Sequence, residues 1–230
     1  MSLSERLAAL GVRLATRRIV PGDEAAFPDP SEPLARRRAS GAARIAARAA
    51  LAALGGPADA PLPRSPHRYP LWPRGYVGSL AHDAEIAVAA AARAADLAAL
   101  GVDVEPAEPL PDDVAEIALV ASERCACAAD ATLARAMFAA KEAVYKAINP
   151  LDGSELEYED IEVDPAAGVA RLRDGRALRL EFEPALSGVK PPPPLRVRAG
   201  ERGGRLLVVA LLQPPAMRAS RSWASFFSAG

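Results

Sequence analysis

The sequence predicts an α+β fold of two similar halves, divided near residues 108–114. Three observations carry that expectation. Residues 34–54 run without a strong breaker except Gly41 and precede a group of strand-like segments. Residues 131–148 form a second long helical segment, again followed by strand-like segments. The strands come in groups rather than in turn with helices, which argues against βαβ units and a parallel sheet. At 230 residues the chain has room for two modest domains. We take residues 1–110 as an N-terminal half and 111–230 as a C-terminal half.

Element by element, Leu3, Leu7, Leu10 and Leu14 recur at helical spacing, with Gly11 ending that helix early. Residues 12–20 read as a strand, and the prolines of 21–33 as a loop. The helix over 34–54 stops at Gly55-Gly56, a C-terminal signal. A long proline-rich connection, residues 56–75, follows; connections of that length are often functional. VGSLAHD and EIAVAAAAR form a pair of strands, and LAALGVDVE another. Asp112 and Ser122 are placed to cap two short helices. The helix over 131–148 is expected to end at Asn149-Pro150. DIEVD, GVARLR, ALRLEFE, LRVRA and RLLVVALLQ then read as strands, with KPPPP at 190–194 as a surface spacer.

Half of the residues are hydrophobic and a quarter charged, which excludes wholesale disorder. A net charge of −1 gives no global argument for nucleic acid, so any basic site must be local. Abundant alanine and arginine with few lysines reflect GC-rich coding, so alanine content alone is not evidence for helix. Cys125 and Cys127 are spaced for neither an intrachain disulfide nor a complete zinc site. No signal-peptide pattern and no uninterrupted apolar span occur. The expectation is a reduced, cytoplasmic protein.

Four local patterns could carry chemistry. In GVDVE, Asp103 and Glu105 share one face of a strand. Two readings are open: oxygen ligands for a hard divalent cation, or a solvated strand end. In FAAKEAVYKAI, Glu142 and Lys146 stand one helical turn apart with Lys141 to the side. That is either a surface ion pair or a set aimed at a metal and phosphates. RRRASGAAR holds Arg37 and Arg44, which share a helical face with Arg48 four residues on, and its positive charge near a helix start suits an anionic partner. In PLWPRGYVGSLAHD, His82 closes a Gly-Ser-x-x-His run, with Gly78 and Ser79 small enough to admit a ligand backbone.

In this order along the chain, the arginine helix, the W-P-x-G-x-x-G-S-x-x-H run, G-V-D-V-E and F-x-x-K-E-A-x-x-K-A resemble the 4′-phosphopantetheinyl transferases of the surfactin and enterobactin synthetase type. The resemblance covers roughly residues 33–150. It implies a pseudodimer of two α+β halves with the active site in the cleft between them, working as a monomer. It implies transfer of the 4′-phosphopantetheine arm of coenzyme A to a serine of an acyl or peptidyl carrier protein, with Mg²⁺, releasing 3′,5′-ADP. By motif match, Asp103, Glu105 and Glu142 would hold Mg²⁺, and Glu142 and Lys146 would serve catalysis. Arg37, Arg44, Arg68, Ser79, His82, Lys141 and Lys146 would bind coenzyme A. Ala81 stands where such proteins often have Ser or Thr before the histidine, and Ala43 where they have Gly before the arginine. Residues 112–135 are the expected carrier docking surface, an apolar patch with a basic rim. The alternative is a coenzyme A- or nucleotide-binding module without transferase activity.

Overall fold

The computed structural model describes residues 1–128, 130–183 and 205–214, and they form the expected α+β architecture. Helix α1 (Leu3–Ala9) starts at Ser2, whose hydroxyl accepts the Glu5 N–H while the Glu5 carboxylate accepts the Ser2 N–H. That reciprocal cap satisfies two backbone donors that the first turn leaves free. Strand β1 (Arg13–Arg18), helix α2 (Leu34–Ala53), strands β2 (Tyr76–His82) and β3 (Ile86–Arg93), and strand β4 (Ala99–Pro106) follow. Then come α3 (Asp112–Ala118), α4 (Ala121–Cys127), α5 (Ala131–Asp152), β5 (Ile161–Asp164), β6 (Val169–Leu172), β7 (Ala177–Glu183) and β8 (Arg205–Leu212). Single 3₁₀ turns at Asp23–Ala26 and Tyr158–Asp160 complete the described elements.

Two antiparallel sheets lie face to face between two helices. The first has the order β1-β3-β2 and the second β4-β8-β7-β6-β5. Strand alternation sorts the core into layers. In β3, Ala89 and Ala91 face α2, while Val88, Ala90 and Ala92 face the second sheet. In β4, Leu100, Val102 and Val104 meet them from the other side. Full burial of a side chain such as Val102 contributes about 1.5–3 kcal/mol. The abundant alanine thus has a structural use: Ala46, Ala47 and Ala50 of α2 lie against Ala89 and Ala91 of β3. Small side chains on both surfaces let helix and sheet approach closely.

Strand β4 is where the halves meet. The division at 110/111 counts it with the first half, yet it is hydrogen-bonded along its whole length to β8 of the second sheet. Its other face lies against α5. A Cβ built on Gly101 would sit 1.8 Å from the Ala143 carbonyl oxygen and 2.8 Å from the Ala147 nitrogen. Backbone therefore rests on backbone there, and glycine is required.

Several boundaries differ from expectation. Asp112 and Ser122 are not caps: Pro111 and Val120 hold those positions, and Glu123 reaches back to accept the Val120 N–H. Helix α5 does not stop at Asn149. It carries Pro150 inside its last turn and ends at Gly153, which adopts φ +75° and donates its N–H to the Asn149 carbonyl. Proline so near the end deprives the helix of a single N–H, and the bias it places on the preceding residue is not a bar. LRVRA and KPPPP lie outside the described residues.

Replacing Gly101 by alanine forces β4 and α5 apart. We expect a loss of about 1–3 kcal/mol in urea unfolding; an unchanged midpoint would contradict so close an approach.

Candidate active site

Because Val104 turns into the core, Asp103 and Glu105 point together toward α5. Asp103 is 4% exposed. Its Oδ1 accepts from Lys146 Nζ at 2.5 Å, while Oδ2 is buried with no partner. Burial pushes the Asp103 carboxyl up to about 6, with Lys146 opposing the rise and the Glu105 and Glu142 charges adding to it. Glu105 pairs with Arg135 at 2.9 Å. Arg135 also holds the carbonyls of Glu108 and Pro109, which fixes the chain leaving β4. Glu142 accepts from the Tyr158 hydroxyl at 2.6 Å. Burial raises the Tyr158 hydroxyl above its ordinary pKa, and the Glu142, Asp103 and Glu105 carboxylates raise it further, so it remains a donor. Three carboxylates and one lysine thus share a small region between β4 and α5. Among the described residues they do not converge into a closed set of metal ligands, each being held by its own neighbour.

His82, at the end of β2, belongs to the same region. Partial burial lowers its pKa, and the nearby Lys146 and Arg36 cations lower it further, which favours the neutral imidazole. Beyond it lies a basic cluster from the start of α2 and the 56–75 connection. Arg36, Arg64 and Arg68 gather on Glu32, and Arg64 also reaches Asp29. Arg68 takes a left-handed backbone, φ +73°, an uncommon conformation for a residue with a side chain. Arg37 keeps a buried Nε without a partner.

Three expected binding residues are placed elsewhere. Arg44 is 6% exposed, donates to the carbonyls of Leu62 and Ser40, and stacks over Phe27 at 4.0 Å. Burial brings its guanidinium down to about 10. Ser79 is buried on the face of β2 shared with Val77 and Ala81, opposite to that of His82. Lys141 is fully buried, paired to Glu123 at 2.7 Å and donating to the Tyr158 carbonyl. The face of α5 that carries Lys141 also carries Ala134, Met137, Val144 and Ile148. That spacing is visible in the sequence and marks Lys141 as a core position. The room expected beside Gly78 is filled as well: a Cβ there would sit 2.4 Å from the Trp72 ring.

Sequence reasoning missed Arg135, Tyr158 and Glu123. Arg135 stands seven residues before Glu142, hence on its helical face, and that spacing could have found it. Tyr158 and Glu123 are brought in by tertiary folding and carry no periodic signal. A cavity of about 250 Å³ opens beside the charged region, lined by Tyr69–Trp72, Tyr76–Gly78, Ala98–Leu100, Lys146, Ala147, Pro150 and Leu151. Lys146 therefore stands between the carboxylates and an open cleft.

Two family models match the chain in register with this geometry. The 4′-phosphopantetheinyl transferase N-terminal domain matches residues 31–92, and the 4′-phosphopantetheinyl transferase superfamily matches residues 99–186. The chain belongs to the 4′-phosphopantetheinyl transferase superfamily. The second match opens at β4 and contains Asp103, Glu105, Glu142 and Lys146; the first contains α2 and His82. Among curated superfamily relatives, the chain is 46% identical over 140 residues to the 4′-phosphopantetheinyl transferase Svp of Streptomyces mobaraensis, 56% of each chain. It is 39% identical over 131 residues to Npt of Nocardia iowensis, 56% of this chain and 59% of that one. It is 37% identical over 124 residues to PptT of Mycobacterium tuberculosis, 52% and 54% respectively. The alignments span little more than half the length of these relatives.

Lys141→Ala tests its reassignment from phosphate ligand to buried anchor. Removing one partner of a buried pair is expected to cost about 3–5 kcal/mol of unfolding free energy. A variant of unchanged stability but weakened coenzyme A binding would restore the phosphate role.

Proposed function

We propose that this chain transfers the 4′-phosphopantetheine arm of coenzyme A to a serine of an apo acyl or peptidyl carrier protein, releasing 3′,5′-ADP in a Mg²⁺-dependent reaction. The observation that carries the reading is Asp103: a buried carboxylate with one oxygen on Lys146 and the other without a partner, with Glu105 and Glu142 close enough to raise its pKa. Carboxylate oxygens are the donors Mg²⁺ takes, and an orphaned buried oxygen is costly unless something binds it. In donor chemistry the residues present therefore suit the ion, and Asp103, Glu105 and Glu142 would be its holders. Mg²⁺ bound there supplies charge neutralisation at the pyrophosphate.

The rest of the work falls to the chain. Lys146, between Asp103 and the cleft, sets a cation against the phosphates. His82 and the Arg36, Arg37, Arg64 and Arg68 cluster favour an anionic end of the donor on the β2 side. Glu142 has one oxygen on Tyr158, and its other oxygen serves as acceptor for the serine proton. The serine oxygen then forms its bond to the phosphorus that carries pantetheine, the anhydride P–O bond breaks, and 3′,5′-ADP leaves with the bonding pair. Arg44 supports this site from beneath, fixing α2 to the connection through the Leu62 carbonyl.

For the carrier, the segment 112–135 offers Ile117, 75% exposed on α3. Among the described residues of this segment the charge is mixed: Asp112 and Asp113 begin α3, the exposed Arg124 donates to the Leu119 carbonyl, and Arg135 is paired with Glu105. Docking through α3 thus rests on apolar contact rather than on a basic surround. We further assign the protein to the cytoplasm as a monomer; among the described residues no helix is long and apolar enough to cross a membrane.

Intact-mass spectrometry of apo carrier proteins incubated with the protein, coenzyme A and Mg²⁺ should show the gain of one phosphopantetheine arm. Asp103→Ala should abolish that gain while leaving the circular dichroism spectrum unchanged. Coenzyme A binding without transfer to any carrier would instead establish a binding module.

A further inference from the structure

Glu142 is a long, partly exposed side chain on a helix, and free in water it would sample many rotamers. Ordering such a chain carries an entropic cost, so a site that depends on its carboxylate needs something to hold it. The Tyr158 hydroxyl donates to Glu142 Oε1 at 2.6 Å. Tyr158 is itself fixed at both ends. Its ring tilts against Phe138, centroids 6.1 Å apart, one helical turn before Glu142 on the same face of α5. Its carbonyl accepts from the fully buried Lys141 Nζ at 2.9 Å. Lys141 is tied in turn to Glu123, whose other oxygen accepts the Val163 N–H of β5. The 3₁₀ turn that presents Tyr158 is closed by Asp160, which accepts the Glu157 N–H. A rigid chain of contacts thus runs from the core of the second half to one carboxylate oxygen of the site.

We propose that Tyr158 is a positioning residue: its hydroxyl orients the Glu142 carboxylate, holding Oε1 and leaving Oε2 free for the cation and the serine proton. The inference rests on the transferase reading above and deepens it. Nothing in the residue order of GSELEYEDIEV announces this role, because the turn and the helix face are joined only in the fold.

The discriminating variant is Tyr158→Phe, which keeps the ring on Phe138 and the carbonyl on Lys141 and removes only the hydroxyl. Mn²⁺ serves as probe, titrated by electron paramagnetic resonance into the full-length protein with coenzyme A present. Losing one hydrogen bond to a charged group is expected to weaken Mn²⁺ binding about ten-fold or more. The Mg²⁺ concentration for half-maximal transfer should rise similarly, with the melting temperature unchanged. In a Glu142→Gln background the same change should have no further effect on Mn²⁺ affinity. Wild-type Mn²⁺ affinity in Tyr158→Phe would overturn the proposal, and so would a lowered melting temperature with wild-type metal binding. Failure of the underlying reading looks different: the unmutated protein would then neither bind Mn²⁺ with coenzyme A nor modify a carrier, and the inference would fall with it.

Discussion

Everything at the site depends on how closely β4 lies against α5. Gly101 has no side chain, so the strand backbone rests on the Ala143 carbonyl and the Ala147 nitrogen. Two residues along the strand on the same face comes Asp103, and two further comes Glu105. One residue before Ala143 stands Glu142, and one before Ala147 stands Lys146. A single close approach thus brings acidic groups of a strand and a helix to one place. A larger residue at 101 would widen that spacing for all of them at once, which is why packing and chemistry cannot be separated here.

The electrostatics follow from that crowding. Three carboxylates in one region repel, and burial adds to the cost for Asp103. The described structure offsets this with one partner per group: Lys146 on Asp103, Arg135 on Glu105 and the Tyr158 hydroxyl on Glu142. The offset is incomplete at one atom, Asp103 Oδ2. A second charge system, the arginines gathered on Glu32 and Asp29, lies beyond His82. An acidic centre meets a basic rim with the cleft nearby, which is an arrangement suited to a polyanion carrying a cation.

Local rules read much of this from the chain. The paired acids of β4 and the inward turn of Val104 follow from strand alternation, and the Glu142–Lys146 pair from helical spacing. Both long helices and the strand groups were equally legible. What local rules could not read was which side of α5 meets β4. Lys141 and Glu142 are neighbours in sequence but about 100° apart around the helix, and one faces the core while the other faces the site. The match to a family motif favoured treating both alike, although the apolar spacing of Met137, Val144 and Ile148 already placed Lys141 inside. Arg44 shows a related limit: in sequence, a guanidinium buried against two carbonyls and a phenyl ring looks the same as one exposed on a helix. The ends of α5 and the partners Tyr158 and Glu123 depended on tertiary contacts that no window of sequence contains.

The central claim is that the orphaned Asp103 oxygen is part of a cation site facing coenzyme A. Anomalous diffraction from crystals grown with Mn²⁺ and coenzyme A tests it most directly. The account predicts a manganese peak bonded to Asp103 Oδ2, with Glu105 or Glu142 as a further ligand and the pyrophosphate beside it. Coenzyme A bound in the cleft with no peak at Asp103, or a peak on other side chains, would contradict it.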